Sequence, residues 1–244
     1  MSADDALRPA GAVGDARGAG HRAGAGATRA LVVVAAGLRQ PSTTRLLADR
    51  LAEATVRALG EQGVSTRVEV VELREHAHDL TNMLLTGFAV PKLQEVLDAV
   101  ADADGLIAVS PIFSGSYNGL FKTFFDVMES GALAGMPTLL GATAGTARHS
   151  LALDHALRPL FVYHRAVVVP TGVFGATEDF GASSSAGGAS GGAGRHDDGA
   201  PAIAVRVDRA ARELAPLMTA RPPRASRDPF TDPTPFERLL AGGA

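Results

Sequence analysis

The sequence of 244 residues contains no cysteine and no tryptophan. Without cysteine, the chain can form no disulfide, thiolate zinc site or iron–sulfur cluster, and it has no cysteine nucleophile. Without tryptophan, any ring that stacks on a planar ligand must come from another side chain. The excess of charge is also small, since 23 Lys and Arg against 26 Asp and Glu leave −3 at pH 7. This balance argues against a nucleic-acid-binding or anionic-membrane-binding protein.

Long hydrophobic runs are missing as well. The longest, residues 30–38, is far shorter than the roughly 20 residues that span a bilayer. Residues 1–28 consist mainly of Ala, Gly and Arg and lack the apolar centre of a signal peptide. We therefore expect no membrane segment, and we expect a cytoplasmic protein.

Three segments differ in composition from the rest of the chain. Residues 1–28 consist mainly of Ala, Gly and Arg, and residues 181–200 mainly of Gly, Ala and Ser, so neither segment can bury enough apolar surface to offset the entropy of ordering. Residues 221–244 contain five prolines, which interrupt any helix. The composition thus predicts a disordered N-terminal extension, one domain over residues 29–220 with a flexible insertion at 181–200, and a Pro-rich C-terminal tail.

Within that domain, short β-branched runs alternate with amphipathic stretches. The pattern predicts strands at residues 31–35, 67–73, 106–109, 138–142 and 166–170, and helices at 44–60, 91–101, 120–128, 149–163 and 202–218. Strand–helix repeats of this kind form right-handed parallel crossovers. We therefore predict an α/β fold, a doubly wound five-stranded parallel sheet with helices on both faces.

Ligands of doubly wound sheets bind outside the carboxyl ends of the strands, so the loops there are candidate sites. The loop after strand one leads into a helix start with the hydroxyls of Ser42, Thr43 and Thr44, a combination that suits a phosphate. Arg39 or Arg45 could add positive charge. Because neither G-x-G-x-x-G nor a P-loop Gly-Lys-Ser/Thr is present, a dinucleotide-binding fold and an NTPase are disfavoured.

The loops after strands three and four also suit a planar ligand. Pro111 stiffens the first, and Phe113 or Tyr117 can supply an aromatic wall. Its Gly115-Ser116 does not complete a G-x-S-x-G elbow, which disfavours acyl transfer. In the second, Gly145 permits close approach of a ligand to the backbone. We expect the three loops to share one rim of the sheet.

A metal site is not predicted. His76, His78 and Asp79 are potential ligands, but we place them in a solvated polar loop after strand two, with no further ligand cluster. Ser150, Asp154 and His155 cannot form a hydrolytic triad, because neighbouring positions on one helix point about 100° apart.

Three runs of the sequence resemble the NADPH-dependent FMN reductase family of flavodoxin-like fold, in its branch partnered with luciferase-like flavin monooxygenases. They are PSTTRLLADRL from Pro41, ADGLIAVSPIFSGSYNGLFKTFFDVME from Ala103 and AGTARHSLALDHALRPLFVYHRAVVVPTGVFGATEDF from Ala144. The resemblance implies that the first loop holds the FMN phosphate, the second flanks the isoalloxazine and the third closes over the ring edge. The implied cofactor contacts are Arg39, Ser42, Thr43, Thr44, Pro111, Ile112, Phe113, Ser114, Ser116, Asn118, Thr143, Ala144, Gly145, Thr146 and Arg148.

The resemblance further implies an NAD(P)H:FMN oxidoreductase that supplies reduced FMN to a two-component flavin-dependent monooxygenase and forms a homodimer or tetramer. No catalytic side chain is expected, because the hydride passes between cofactors. Two alternatives stay open: a flavodoxin-like electron carrier, and a reductase of quinone, azo or metal-ion acceptors with bound FMN. Carriers tend to be strongly acidic and to hold the flavin between large aromatic rings, which this composition does not favour. The choice between NADH and NADPH is left open.

Overall fold

The computed structural model describes residues 28–181 and 202–224. Residues 1–27, 182–201 and 225–244 lie outside the described residues, and with them most of the predicted extension, insertion and tail. The strands are β1 (Arg29–Ala35), β2 (Thr66–Glu72), β3 (Gly105–Phe113), β4 (Ser116–Tyr117), β5 (Pro137–Ala144), β6 (Val167–Val168) and β7 (Val173–Ala176). The helices are α1 (Thr43–Gly60), α2 (Ala77–Thr86), α3 (Pro91–Ala101), α4 (Gly119–Asp126), α5 (Arg158–Tyr163), α6 (Glu178–Gly181) and α7 (Ala202–Thr219).

The sheet has the order β2-β1-β3-β5-β6, and these strands run parallel. The predicted doubly wound parallel sheet is confirmed, but it is built from seven strands. The fifth position is split, because both β6 and β7 pair with β5. The predicted strand at 166–170 was therefore wrong in extent, since Pro170 has no N–H to donate to the ladder. The seventh strand, β4, pairs antiparallel with the end of β3.

Helix α2 was not predicted, and it replaces the expected polar loop after β2. Its polar residues hide the helical period, and Leu80 is its one fully buried side chain. The helix ends where Gly87 adopts a φ of 78°, and the Gly87 N–H donates to the Met83 carbonyl at 2.8 Å. The 3₁₀ turn Leu73–His76 that precedes it buries His76, so the prediction of a solvated His76 was wrong.

The predicted helix at 149–163 is not one continuous α-helix. It consists of a 3₁₀ turn at Ala147–His149, a π turn at Leu153–Leu157 and α5. Pro159 lies at the start of α5 and lacks the N–H that would bond to the His155 carbonyl in an α-helix. The chain adjusts by changing its helical type before the proline.

Helices cover both faces of the sheet. Leu31 and Val33 of β1 pack with α1 and α7 on one face, while Val32 and Val34 pack with α2 to α5 on the other. β1 and β3 are thus buried on both sides, as their continuous apolar runs predict. Within the described ranges, no helix has both the length and the hydropathy that crossing a membrane requires.

Candidate functional site

A cleft of about 590 Å³ opens at the carboxyl edge of the sheet. Its volume lies within the range of small-molecule sites. Most of it is formed by the loop after β1 and by the carboxyl ends of β3 and β5, so the three predicted segments share one rim. The lining residues are Gly37, Leu38, Arg39, Pro41, Ser42, Thr43, Thr44, Pro111, Ile112, Phe113, Thr143, Ala144, Gly145 and Thr177.

The loop after β1 presents the start of an 18-residue helix to this cleft. Ser42 caps α1, with its Oγ accepting from the Arg45 N–H at 3.2 Å. The N–H groups of Thr43 and Thr44 belong to the first turn and have no intrahelical acceptor. A Cβ on Gly37 would lie 2.1 Å from Ser42 Oγ, so the loop closes in this way only with glycine. The result is a set of free backbone donors at the positive end of a helix dipole.

Two threonine hydroxyls join this helix start to the end of β5. Thr44 Oγ1 lies 2.8 Å from Thr143 Oγ1, and both residues are buried. The hydroxyl of Thr44 is thus engaged within the protein, whereas Thr43 is exposed to the cleft. The pair also fixes how close the loop after β1 lies to the loop after β5.

The segment after β3 forms a hairpin with β4. Ser114 and Gly115 have φ values of 51° and 81°, and they form the two-residue turn between the paired strands. Pro111, Ile112 and Phe113 line the cleft before the turn, and Phe113 is half exposed at the rim. Ser114 and Ser116, which were predicted contacts, are placed in the hairpin outside the lining.

Asn118 was a predicted FMN contact, and the structure places it beneath the cleft. It is 2% exposed. Its Nδ2 donates to the Ala36 carbonyl at 2.7 Å, and its Oδ1 accepts from the Phe121 N–H at 2.8 Å. Its own N–H donates to Ser110 Oγ at 3.1 Å. Asn118 thereby ties the end of β1 to the cap of α4 and holds two cleft loops together.

The end of β5 and the loop after it are divided between the cleft and its surroundings. Thr143, Ala144 and Gly145 belong to the lining, whereas Thr146 and Arg148 are exposed outside it. A Cβ on Gly145 would meet no atom within 4 Å, so its backbone faces open space. This leaves room for a ligand against the Gly145 peptide.

The described lining of the cleft carries positive charge and no acidic side chain. Arg39 lies on the lip, is exposed and forms no ion pair with the described residues. Arg45 is already engaged, at 2.8 Å from Asp49 and 2.6 Å from Glu72. The hydrogen bond to Asp49 raises the pKa of Arg45, with Glu72 adding to the effect. Arg39 is therefore the guanidinium of this loop that is available to an anionic ligand.

Four residues of the lining are not among the implied cofactor contacts, namely Gly37, Leu38, Pro41 and Thr177. The first three belong to the loop already predicted as a phosphate site. Thr177 follows β7, and it was missed because that strand was not predicted. The run Val173-Phe-Gly-Ala before it, with its β-branched and aromatic residues, was the available signal.

His76 does not form part of a metal cluster. Among residues 28–181 and 202–224, no group of three or more His, Asp or Glu side chains could hold a metal ion. His76 is 5% exposed, and its Nδ1 has no hydrogen-bond partner in the described part of the chain. Burial lowers the pKa of His76, with the positive charge of Lys92 adding to the effect.

Comparison with known proteins is consistent with this geometry. The profile of a family described as NADPH-dependent FMN reductase matches residues 29–181. The chain is 41% identical over 152 residues to an FMN reductase (NADPH) of Pseudomonas aeruginosa, an alignment covering 62% of this chain and 78% of that protein. It is 33% identical over 193 residues to the NADH-dependent FMN reductase SfnE of Pseudomonas putida, covering 78% and 92%.

Two solved structures are similar over most of the chain. One is an oxidoreductase from Corynebacterium diphtheriae, with a TM-score of 0.71 and 45% identity, covering 80% of this chain and 99% of that one. The other is the apo form of the NADH:FMN oxidoreductase EmoB, with a TM-score of 0.63 and 26% identity, covering 84% and 100%.

Proposed function

This chain belongs to the NADPH-dependent FMN reductase family, and from that premise we propose that it supplies reduced FMN to a separate flavin-dependent monooxygenase. The chain is an NAD(P)H-dependent FMN reductase, and its cofactors are FMN and NAD(P)H. The resemblance of its three sequence runs to the monooxygenase-partnered branch supports the finer assignment.

The proposal rests on one observation, which is that the same cleft contains both the start of a helix and an apolar wall. The N–H groups of the first turn, the hydroxyls of Ser42 and Thr43 and the guanidinium of Arg39 are the donors that a phosphate requires. Pro111, Ile112 and Phe113 provide an apolar wall for a ring. Because Gly37 keeps the loop tight around Ser42, these residues fit FMN and would hold it by its two ends.

The cleft positions its ligands and offers no side chain for proton transfer. Its described lining contains no Asp, Glu, His, Lys or Tyr. When bound, FMN supplies the hydride-accepting chemistry. The contribution of the chain is therefore to orient two planar groups and to hold them with backbone donors from Ala144 and Gly145.

The cleft is open at its mouth, which supports the proposal that the flavin is released after reduction. Leu38 and Phe113 stand on its rim with about half of their surface exposed, at 49% and 48%. Among the described residues, no aromatic side chain covers the opening. This suits a flavin that binds, is reduced and leaves for a second protein.

Binding is tested first by titrating the protein with FMN and with FAD and following the quenching of flavin fluorescence. We expect a preference for FMN, because the phosphate donors lie at a helix start and the glycine-rich pyrophosphate fingerprint is missing. A clear preference for FAD would contradict this.

Function is tested by stopped-flow oxidation of NADH and of NADPH with FMN under anaerobic conditions, followed by addition of a flavin-dependent monooxygenase. We expect rapid oxidation and transfer of reduced FMN to the monooxygenase. If neither nucleotide is oxidised while FMN is bound, the electron carrier is the better assignment. If turnover never releases reduced FMN, a reductase of quinone, azo or metal-ion acceptors is favoured.

Several expectations stay predictions. They include contacts from Ser114, Ser116, Asn118, Thr146 and Arg148, and assembly into a homodimer or tetramer. Arg148 is exposed and forms no ion pair with the described residues, so its guanidinium is available to the phosphates of the nucleotide.

A further inference from the structure

We propose that Thr177 is an additional FMN contact and that its hydroxyl donates a hydrogen bond at the phosphate end of the cleft. The inference rests on the proposed binding of FMN in this cleft. Thr177 belongs to a fourth segment of the rim, after β7, which neither the sequence pattern nor the resemblance assigned to the site.

The register of the sheet places Thr177 beside the loop after β5. β7 pairs in parallel with β5, with Ala176 opposite Ala144. Thr177 therefore leaves the sheet next to Gly145, at the roughly 4.8 Å spacing of neighbouring strands. The 2.8 Å contact between Thr44 and Thr143 draws the start of α1 against the same strand end. The helix start and Thr177 therefore both adjoin the carboxyl end of β5, and both line the cleft.

The hydroxyl of Thr177 is free to bind a ligand. The residue is exposed, lines the cleft and forms no side-chain hydrogen bond with the described residues. Two other threonines of the lining are already engaged, because Thr44 pairs with Thr143 at 2.8 Å. Thr177 and Thr43 are thus the threonine hydroxyls of the lining that remain available.

The turn that carries Thr177 is held in place by its neighbours. Asp179 Oδ2 accepts from the Ala176 N–H at 2.8 Å. Arg206 approaches the same carboxylate oxygen at 3.9 Å and donates to the Phe174 carbonyl at 3.2 Å. Asp179 therefore acts as a positioning residue, because its carboxylate fixes the backbone immediately before Thr177.

Packing against the sheet restricts the turn further. Phe180 lies so close to Gly175 that a Cβ there would be 2.6 Å from the ring. The Arg50 guanidinium covers the Phe180 ring at 5.3 Å from its centroid. With the backbone fixed on both sides, little conformational freedom remains to be lost when Thr177 binds a ligand.

The test compares FMN and riboflavin binding to the full chain and to Thr177→Val, followed by fluorescence quenching. The valine keeps the shape and removes the hydroxyl, so we expect about tenfold weaker FMN binding. Riboflavin lacks the phosphate, and its affinity should be the same for both proteins. Thr177→Ser should bind FMN like the wild type. Thr81→Val, at an exposed position of α2 outside the cleft lining, is the control and should change neither affinity.

Asp179 is tested in the same titration. Asp179→Ala removes the acceptor for the Ala176 N–H and should weaken FMN binding, whereas the amide oxygen of Asp179→Asn can still accept and should restore it. A merely structural role would lower the unfolding midpoint without this rescue of affinity.

Each outcome decides a separate point. Unchanged FMN binding by Thr177→Val, with a wild type that binds, would overturn the contact alone. An equal loss for riboflavin would overturn its assignment to the phosphate end. A wild type that fails to bind FMN would overturn the proposed function and this inference together.

Discussion

The two edges of the sheet use polar side chains in opposite ways. At the amino edge, Asp104 and Arg29 are both buried and lie 3.3 Å apart. Asp104 also accepts from the N–H groups of Ala30 at 2.8 Å and Arg224 at 2.9 Å. At the carboxyl edge, Arg39 and the hydroxyls of Thr43 and Thr177 have no hydrogen-bond partner among the described residues.

The difference separates polar groups that stabilise the fold from those available to a ligand. The buried charges at the amino edge are compensated by partners that come from several elements, including the segment after α7. Groups at the carboxyl edge are exposed and keep their hydrogen-bonding capacity. Substitutions at the two edges should therefore affect different quantities, the free energy of unfolding at one and the affinity for FMN at the other.

The largest effect is expected at the amino edge. Asp104→Ala leaves the buried Arg29 guanidinium without its carboxylate and two backbone N–H groups without their acceptor. Removing one partner of a buried pair costs about 3–5 kcal/mol, which urea denaturation would measure. The exposed pair Arg57–Asp208, at 2.8 Å, supplies the control, and Asp208→Ala should cost less than about 1 kcal/mol. Equal losses for the two variants would show that the buried pair at the amino edge stabilises the fold no more than an exposed ion pair does.

The second largest effect is expected for the Thr44–Thr143 pair beneath the carboxyl edge. Like the polar groups at the amino edge, these two hydroxyls are buried and bonded within the protein. Thr44→Val leaves the buried Thr143 hydroxyl without its partner, which should cost about 1–3 kcal/mol of unfolding free energy. Thr44→Ser keeps the hydroxyl and should lose less. If the valine variant unfolds like the wild type, the hydroxyl pair does not stabilise the rim.

A smaller effect, confined to binding, is expected for Thr43. Thr43→Ala removes an exposed hydroxyl from the cleft, so the urea midpoint should stay within experimental error. FMN affinity should fall roughly tenfold, equivalent to about 1.4 kcal/mol. The measurement is fluorescence quenching beside urea denaturation of the same sample. A loss of stability without a loss of affinity would assign Thr43 to the helix and not to the ligand.

The smallest effect is expected in the pH dependence of the free energy of unfolding. Burial holds the pKa of His76 below 6.5, and Lys92 adds to this, while Asp79 and Glu75 oppose it. The unfolded chain therefore binds a proton near pH 6.5 that the folded chain excludes, so stability should fall as the pH drops below that value, by at most about 1.4 kcal/mol per pH unit.

His76→Gln should reduce this loss between pH 7.5 and 5.5, as urea denaturation at the two pH values would show. His164, whose pKa burial also lowers, keeps part of the dependence in the variant. An unchanged pH dependence would show that His76 is not the residue responsible.

Much of the fold follows from local sequence pattern. The apolar run of β1 and the spacing of Leu47 and Leu51 in α1 identified a strand and a helix within one or two residues of their observed bounds. Where polar residues mask the period, as in α2, or a proline divides a strand, as at Pro170, the pattern failed. In both places packing against the rest of the domain decides the secondary structure, and a local sequence pattern carries no information about that packing.

The candidate site likewise combines features that follow from local sequence pattern with features that depend on tertiary packing. The parallel α/β class and the three segments that form the rim could be predicted from the sequence, because strand–helix alternation fixes which ends of the strands meet. Which side chains face the cleft depends on contacts between distant parts of the chain, which form only in the folded domain. Asn118 lies beneath the cleft because its side chain donates to the Ala36 carbonyl, and the Thr44 hydroxyl is engaged by Thr143. Thr177 lines the cleft because of the register in which β7 pairs with β5. Each of these depends on a hydrogen-bond partner more than 30 residues away in the chain, which no local spacing can reveal.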